Sequence, residues 1–146
     1  APVVRSGARS MVLLTPDLGV SPLAKVDTIN LTRNKAALAA LSKAFNDGLE
    51  LGLSISGYTG QQVSLVRVDS IVRVIEANPA TYSLTNVDNA ACVAPASSAP
   101  LCLDDSTSLV ATDAASTYMW ADATHLNTLV HGTIASYVPA MSKSHW

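Results

Sequence analysis

Ionisable side chains are scarce in this chain of 146 residues: 14% of the residues are charged, with nine Lys or Arg against eleven Asp or Glu. The basic residues are scattered, so the sequence lacks the cationic stripe that binds the phosphate backbone of nucleic acids. Hydrophobic residues make up 49% of the chain, which is enough for a core and is not typical of a disordered chain. We therefore expect one globular domain with no nucleic-acid partner.

Long apolar runs are missing as well. The nearest is SMVLLTPDLGV, which is interrupted by Pro16, Asp17 and Gly19, whereas a membrane-spanning helix needs about 20 apolar residues. The first ten residues, APVVRSGARS, do not have the cationic and then apolar pattern of a signal peptide. We expect no membrane span, and we expect Ala1 to be a processed or artificial end.

Cysteine is limited to Cys92 and Cys102, which flank the nine residues VAPASSAPL. A disulfide that closes a loop of this length contributes about 2.5–3 kcal/mol in the chain-entropy model. Two unpaired thiols are the alternative, and a metal site lacks further ligands at suitable spacing. A disulfide indicates an oxidising compartment, so we expect a secreted or periplasmic protein.

The apolar pattern predicts an α/β fold with parallel strands. Arg9–Thr15 is expected to be a central strand buried on both faces, followed by an amphipathic helix from Asn30 to about Leu53. The segment 63–69 then alternates as a second strand, and 70–78 predicts a short helix that Asp69 or Ser70 caps and that ends at Pro79. The apolar positions assigned to the core side of the long helix are Leu38, Leu41, Phe45 and Leu49.

The second half of the sequence shows less order. Residues 79–117 predict a long irregular segment that contains the two cysteines, and its part from Ala80 to Thr117 is a candidate lid over the site. A last helix is expected from Asn127 or Thr128 to about Pro139. Its predicted apolar side consists of Leu129, Val130, Ile134 and Val138.

The stretch WADATHLNTLVHGTIASY carries the strongest chemical signal, because Asp122 stands three residues before His125. This spacing can place a carboxylate beside an imidazole without help from distant segments, which is half of a charge-stabilised general base. A structural histidine is the more common outcome for such a pair. His131 is expected to pack or hydrogen-bond, and His145 lies in a terminal tail.

Several acidic residues have plainer expected roles. Asp17 is expected to hold the turn after the first strand, and Asp69 to act as a cap or strand-end acid. Asp104 and Asp105 are expected to be a solvated pair, although together with Asp113 they could loosely hold a calcium ion.

Four segments in order resemble the GDSL-type, or SGNH, esterases and lipases: GARSMVLLTPDLGVSP, LSKAFNDGLELGL, VDSIVRVIEANPATYSLTNVDNAAC and WADATHLNTLVHGTIASY. The resemblance implies a three-layer, flavodoxin-like sheet, with residues 1–146 forming the C-terminal portion of one hydrolase domain. It also implies that Asp122 is the acid and His125 the general base of a catalytic triad that cleaves carboxylic esters without a cofactor.

The sequence departs from the family pattern in two ways. Leu126 and Asn127 stand where the family usually has Pro and then Thr or Ser, and the Gly-Asp-Ser, Gly and Asn blocks of the family are missing. The resemblance therefore implies a partner, an N-terminal fragment of the same hydrolase that carries the serine, separated by a cut before Ala1. A sheet of two or three strands also leaves an apolar edge for a partner to cover. The alternative is a non-catalytic binding module derived from such a hydrolase.

Overall fold

The computed structural model of the chain describes residues 10–26, 29–57, 62–92 and 108–143, with side chains described as far as residue 138. Strands and helices alternate along the chain, and the apolar pattern predicts the first four of these elements and the last helix. The elements are β1 (Ser10–Leu13), α1 (Leu31–Ile55), β2 (Val63–Val66), α2 (Val68–Ala77), β3 (Asn86–Ala90), α3 (Ala114–Thr117), β4 (Tyr118–Trp120) and α4 (Thr128–Lys143). Short 3₁₀ turns lie at Leu18–Val20, Pro22–Lys25 and Pro79–Tyr82.

Strands β1 and β2 pair with each other in parallel, and α1 connects them along the chain. This confirms the predicted β-α-β unit. The predicted burial of β1 on both faces is wrong for this chain, because Met11 is 52% and Leu13 is 53% exposed. Alternate residues of the strand are better covered. The described residues place a neighbouring strand on one side of β1 only, which leaves its apolar side chains partly uncovered.

A second parallel pair consists of β3 and β4. Strand β3 lies within residues 79–117, which the sequence predicts to be irregular, and β4 follows directly after them. Asn86 aligns with Tyr118 and Ala90 with Trp120, with an irregularity between the two positions. The sequence of β3 is Asn-Val-Asp-Asn-Ala, which has too few apolar residues to show the two-residue period of a strand. The architecture is thus mixed α/β with two short parallel pairs.

Helix α1 has the predicted bounds to within two residues, but its orientation is different. Ser42 and Asn46 are the buried residues of this helix, whereas Leu41 and Phe45 point outward. The Asn46 amide donates to Thr15 O and accepts from Thr15 N–H, both at 2.9 Å, and Ser42 Oγ accepts from Leu18 N–H at 3.0 Å. The polar side of the helix therefore satisfies the backbone that follows β1.

Gly19 is required by this arrangement. A Cβ atom at position 19 would lie 2.6 Å from Lys35 O and 2.9 Å from the Ala39 side chain. Such contacts are far inside van der Waals separation, so only glycine lets the turn approach α1 this closely.

Helix α2 begins two residues before the predicted start. Arg67 occupies the N-cap position, and Asp69 lies inside the first turn, where its side chain pairs with Arg67. The predicted cap at Asp69 or Ser70 is therefore wrong, although an acid in the first turn still interacts favourably with the helix dipole. Pro79 follows the helix end as predicted and opens a 3₁₀ turn.

The main core joins β2, α2, β4 and α4. Its fully or nearly fully buried members include Val66, Val72, Ile75, Met119, Trp120, Val130 and Ile134. Helix α4 starts at Thr128 and packs the predicted apolar side against this core, with Leu129 and Val138 partly buried. It extends past Pro139 to Lys143, since a proline near a helix end removes only one backbone hydrogen bond.

Among the described residues, no helix combines the length and hydrophobicity that a bilayer crossing needs.

Candidate functional site

The loop that contains Asp122 and His125 directly follows strand β4. The Trp120 side chain at the end of this strand is completely buried, and its indole N–H donates to Val87 O at 3.0 Å. The loop then closes on itself, because Ala121 N–H donates to His125 O at 2.8 Å and Leu126 forms a bridge with Trp120. The start and the end of the loop are therefore anchored to one buried residue.

The structure brings the Asp122 and His125 side chains into direct contact. His125 Nδ1 lies 2.7 Å from Asp122 Oδ2, while Asp122 Oδ1 accepts the backbone N–H groups of Thr124 and His125, both at 2.8 Å. Both carboxylate oxygens are thus used within four consecutive residues. Since a carboxylate can only accept, Nδ1 carries the proton and Nε2 of the neutral ring holds a free lone pair.

The electrostatics of the loop keep Asp122 ionised. Partial burial raises the pKa of Asp122, but the hydrogen bonds from Thr124 N–H, His125 N–H and the His125 ring lower it, and the net pKa lies below its ordinary value. An ionised carboxylate therefore lies beside His125 Nδ1. The pair therefore has the charge arrangement of a general base.

The other face of the imidazole is open. The His125 side chain is 68% exposed, and no residue in the described ranges hydrogen-bonds to its Nε2. Those ranges also place no serine or cysteine beside that nitrogen. The arrangement can accept a proton from a group that approaches from outside the described part of the chain.

Asn127, which the sequence analysis did not single out as functional, fixes the end of the loop. Its buried amide nitrogen donates to Ala114 O at 3.1 Å and Tyr118 O at 3.0 Å, and its Oδ1 accepts the first N–H of α4 from Thr128 at 2.6 Å. One side chain therefore ties α3, β4 and α4 together directly behind His125. The preference of asparagine for helix N-caps was the available signal.

A second support reaches the loop from the turn after β1. Leu23 N–H donates to Ala123 O at 2.9 Å. In the same 3₁₀ turn, Lys25 donates to Asp88 O at 2.7 Å and pairs with the Asp88 carboxylate. The turn after β1 thus contacts the dyad loop and is itself joined to β3.

The remaining candidates have other positions. Asp17 holds its turn as predicted, accepting Gly19 N–H at 2.7 Å. His131 is exposed on α4 rather than packed. Asp104, Asp105 and His145 lie outside the described residues, and Asp113 stands at the start of α3. Within the described ranges, no three potential metal ligands come together.

Cys92 is buried in a small cluster with Ala91, Leu109 and Ala114. Cys102 lies outside the described residues, so the predicted disulfide stays a prediction. The same holds for most of the cysteine loop and hence for its predicted role as a lid.

A cavity of about 900 Å³ lies beside α4. Ala121 and Asn127, which flank the dyad loop, are among its lining residues, but Asp122 and His125 are not. The His125 side chain is instead mostly exposed to solvent.

No protein-family model matches the chain, and no curated protein matches it.

Proposed function

We propose that this chain supplies the Asp-His part of a Ser-His-Asp carboxylic-ester hydrolase, and that a partner chain supplies the serine. The observation that carries the proposal is the 2.7 Å contact from His125 Nδ1 to Asp122 Oδ2, with the opposite ring nitrogen open to solvent. A general base needs an accessible ring nitrogen of this kind.

The geometry allows the proton transfers of this reaction in sequence. Nε2 takes the proton of the serine hydroxyl as its oxygen attacks the ester carbonyl, and Asp122 stabilises the imidazolium that forms. The imidazolium then returns the proton to the alcohol oxygen as the carbon–oxygen bond breaks. A water molecule repeats the two steps on the acyl-enzyme and releases the carboxylic acid.

The resemblance to the SGNH hydrolases supports the same assignment. It implies that residues 1–146 are the C-terminal portion of a three-layer, flavodoxin-like hydrolase, with the serine, glycine and asparagine blocks on the N-terminal fragment. The substrate is then an ester or lipid, and lipase, phospholipase and acyltransferase activities share this machinery. A Cys92–Cys102 disulfide, as the sequence predicts, would be consistent with the secreted or periplasmic location that we propose.

A non-catalytic binding module is the second candidate. The absence of a nucleophile beside His125 in the described residues favours it, and so does the uncovered apolar surface of β1 and α1. It predicts partner binding without ester cleavage.

The test uses p-nitrophenyl ester hydrolysis by the chain alone and by its mixture with the polypeptide encoded directly before Ala1. We expect hydrolysis only in the mixture, with a serine-directed phosphonate attached to the added polypeptide. His125→Gln is expected to lower kcat/KM by about 10³-fold or more. His131→Gln, at an exposed histidine of α4 outside the dyad, is the matched control and is expected to leave kcat/KM within about twofold. An active His125→Gln mixture contradicts the proposal, and a binding mixture without activity favours the second candidate.

A further inference from the structure

The outer edge of β1 has hydrogen-bonding groups that the described residues do not use. Ser10 N–H donates to Gln62 O and Leu14 N–H to Val66 O, both at 3.0 Å, so these residues face β2. Because successive residues of a strand point their backbone groups to opposite sides, Met11 and Leu13 face the other edge. Within the described ranges, no strand pairs with that edge.

One face of the sheet loses its cover at the same place. Met11 aligns with Ser64 and Leu13 with Val66 in the parallel register, so the side chains of each pair share a face. Ser64 and Val66 are buried, each with 1% of its surface exposed, whereas Met11 and Leu13 are more than half exposed. The covering layer therefore stops between β2 and β1.

Helix α1 likewise has one flank that contacts the rest of the chain and another flank of exposed apolar side chains. Glu50 pairs with Arg67, which follows β2, at 2.9 Å, so this flank of the helix faces β2. Leu41 and Phe45 lie about 180° and about 140° around the helix from Glu50, away from the flank that faces β2. They are 62% and 59% exposed, and a Cβ at the nearby Gly48 would meet nothing within 4 Å.

Four large exposed side chains lie near the outer edge of β1, two on the strand and two on α1. They are Met11, Leu13, Leu41 and Phe45. At about 100 Å² for each side chain, they offer on the order of 400 Å² of apolar area, about half of the ~800 Å² that one partner of a standard interface buries.

We propose that an α/β polypeptide docks here by adding a parallel strand to the outer edge of β1. One of its apolar segments then covers Met11 and Leu13, and another packs against Leu41 and Phe45 on the opposite face. This inference rests on the proposed function for the identity of the occupant, which is the chain that carries the nucleophile.

The dyad indicates why the added strand is parallel. Carboxyl ends of parallel strands share one edge of a sheet, and the turn after the carboxyl end of β1 already contacts the dyad loop through Leu23 N–H and Ala123 O. A residue at the carboxyl end of a parallel strand beside β1 is therefore on the dyad side. If a second copy of this chain paired through β1 about a two-fold axis, its β1 would run antiparallel to the first. The carboxyl end of that strand would then lie away from the dyad and would bring no nucleophile to it.

The experiment mixes the full chain with the polypeptide encoded directly before Ala1 and follows amide hydrogen exchange by NMR. We expect the amides of Met11 and Leu13 to exchange at least tenfold more slowly in the complex. Phe45→Glu is expected to raise Kd at least tenfold. Ser54→Glu adds the same charge about 180° away on the exposed side of α1, and is expected to change Kd less than twofold. Circular dichroism checks that both variants are folded.

Four results overturn the docking surface: no complex, a complex without protection of Met11 and Leu13, unchanged affinity of Phe45→Glu, or the same protection in a homodimer of this chain alone. Protection of both amides without ester cleavage keeps the docking surface and overturns the proposed catalysis. Ester cleavage without protection of the two amides keeps the proposed catalysis and overturns the docking surface.

Discussion

The region around β4 and the region around α1 place their side chains in opposite ways. Around β4, Met119 and Trp120 are completely buried, and the polar pair of Asp122 and His125 lies at the surface. On α1, the buried residues are the polar Ser42 and Asn46, and the large apolar residues Leu41 and Phe45 are outside. The first arrangement is typical of a protein surface over its own core, and the second leaves large apolar side chains exposed.

Buried side chains therefore have two roles in this chain: apolar ones stabilise the core, and polar ones satisfy backbone hydrogen bonds. The apolar core of β2, α2, β4 and α4 stabilises the fold and anchors the dyad loop. The polar contacts from α1 to Thr15 and Leu18 instead satisfy backbone groups and leave the apolar flank of the helix available. Paired substitutions in the two regions can break or sharpen the comparison.

The largest difference is expected for aromatic residues replaced by alanine. Trp120→Ala removes a completely buried ring and the hydrogen bond to Val87 O, and is expected to cost about 3–5 kcal/mol of unfolding free energy. Phe45→Ala, at a side chain 59% exposed, is expected to change it by about 0.5 kcal/mol or less. Urea unfolding of the isolated chain measures both, and equal losses contradict the assignment of α1 as uncovered.

The two buried asparagines give the next comparison. Asn127→Ala loses two donated hydrogen bonds and the cap of α4, so we expect a loss of about 2–3 kcal/mol. Asn46→Ala loses the paired bonds to Thr15, with an expected loss of about 1–2 kcal/mol. Asn127→Ser, which keeps a cap oxygen, is the matched control and should recover part of the loss. A greater loss for Asn46→Ala would reverse the order of the two regions.

The Asp122 carboxylate predicts a dependence on pH. Its pKa is lowered from 3.8 in the folded chain, chiefly by backbone hydrogen bonds that outweigh partial burial. The stability it contributes is therefore fully present above pH 3.8 and is lost as the pH falls through the lower folded value. Asp122→Asn is expected to cost about 1 kcal/mol at pH 7, and the gap to wild type should close toward pH 2. An equal gap at both pH values would show that the charge is irrelevant.

Surface ion pairs should give the smallest difference. Lys25–Asp88 also includes a hydrogen bond from Lys25 to Asp88 O and supports the turn that touches the dyad loop, so Asp88→Asn is expected to cost about 0.5–1 kcal/mol. Lys43–Asp47 is an exposed i,i+4 pair on α1, and Asp47→Asn is expected to cost about 0.3–0.5 kcal/mol. Thermal unfolding at low and high salt measures both losses, which should shrink together as salt screens them.

Several elements were predictable because their apolar residues recur at regular spacing or form a short continuous run. β1, α1, β2 and the start of α4 have clear apolar patterns, and the structure has them within a few residues of the expected bounds. Strands β3 and β4 were not predictable, because they are five and three residues long and depend on each other for pairing. The start of α2 was missed because Asp69 is an equally suitable residue for the cap and for the first turn.

The contact between Asp122 and His125 was determined by the sequence alone, since the two residues are three apart and the carboxylate binds backbone N–H groups of the same short loop. The inward side of α1 was decided only by the tertiary structure. Helical periodicity defines an apolar flank, but it does not say whether that flank meets the chain's own core. Here Thr15 and Leu18 bind the polar flank of α1, and their backbone hydrogen bonds turn Leu41 and Phe45 outward.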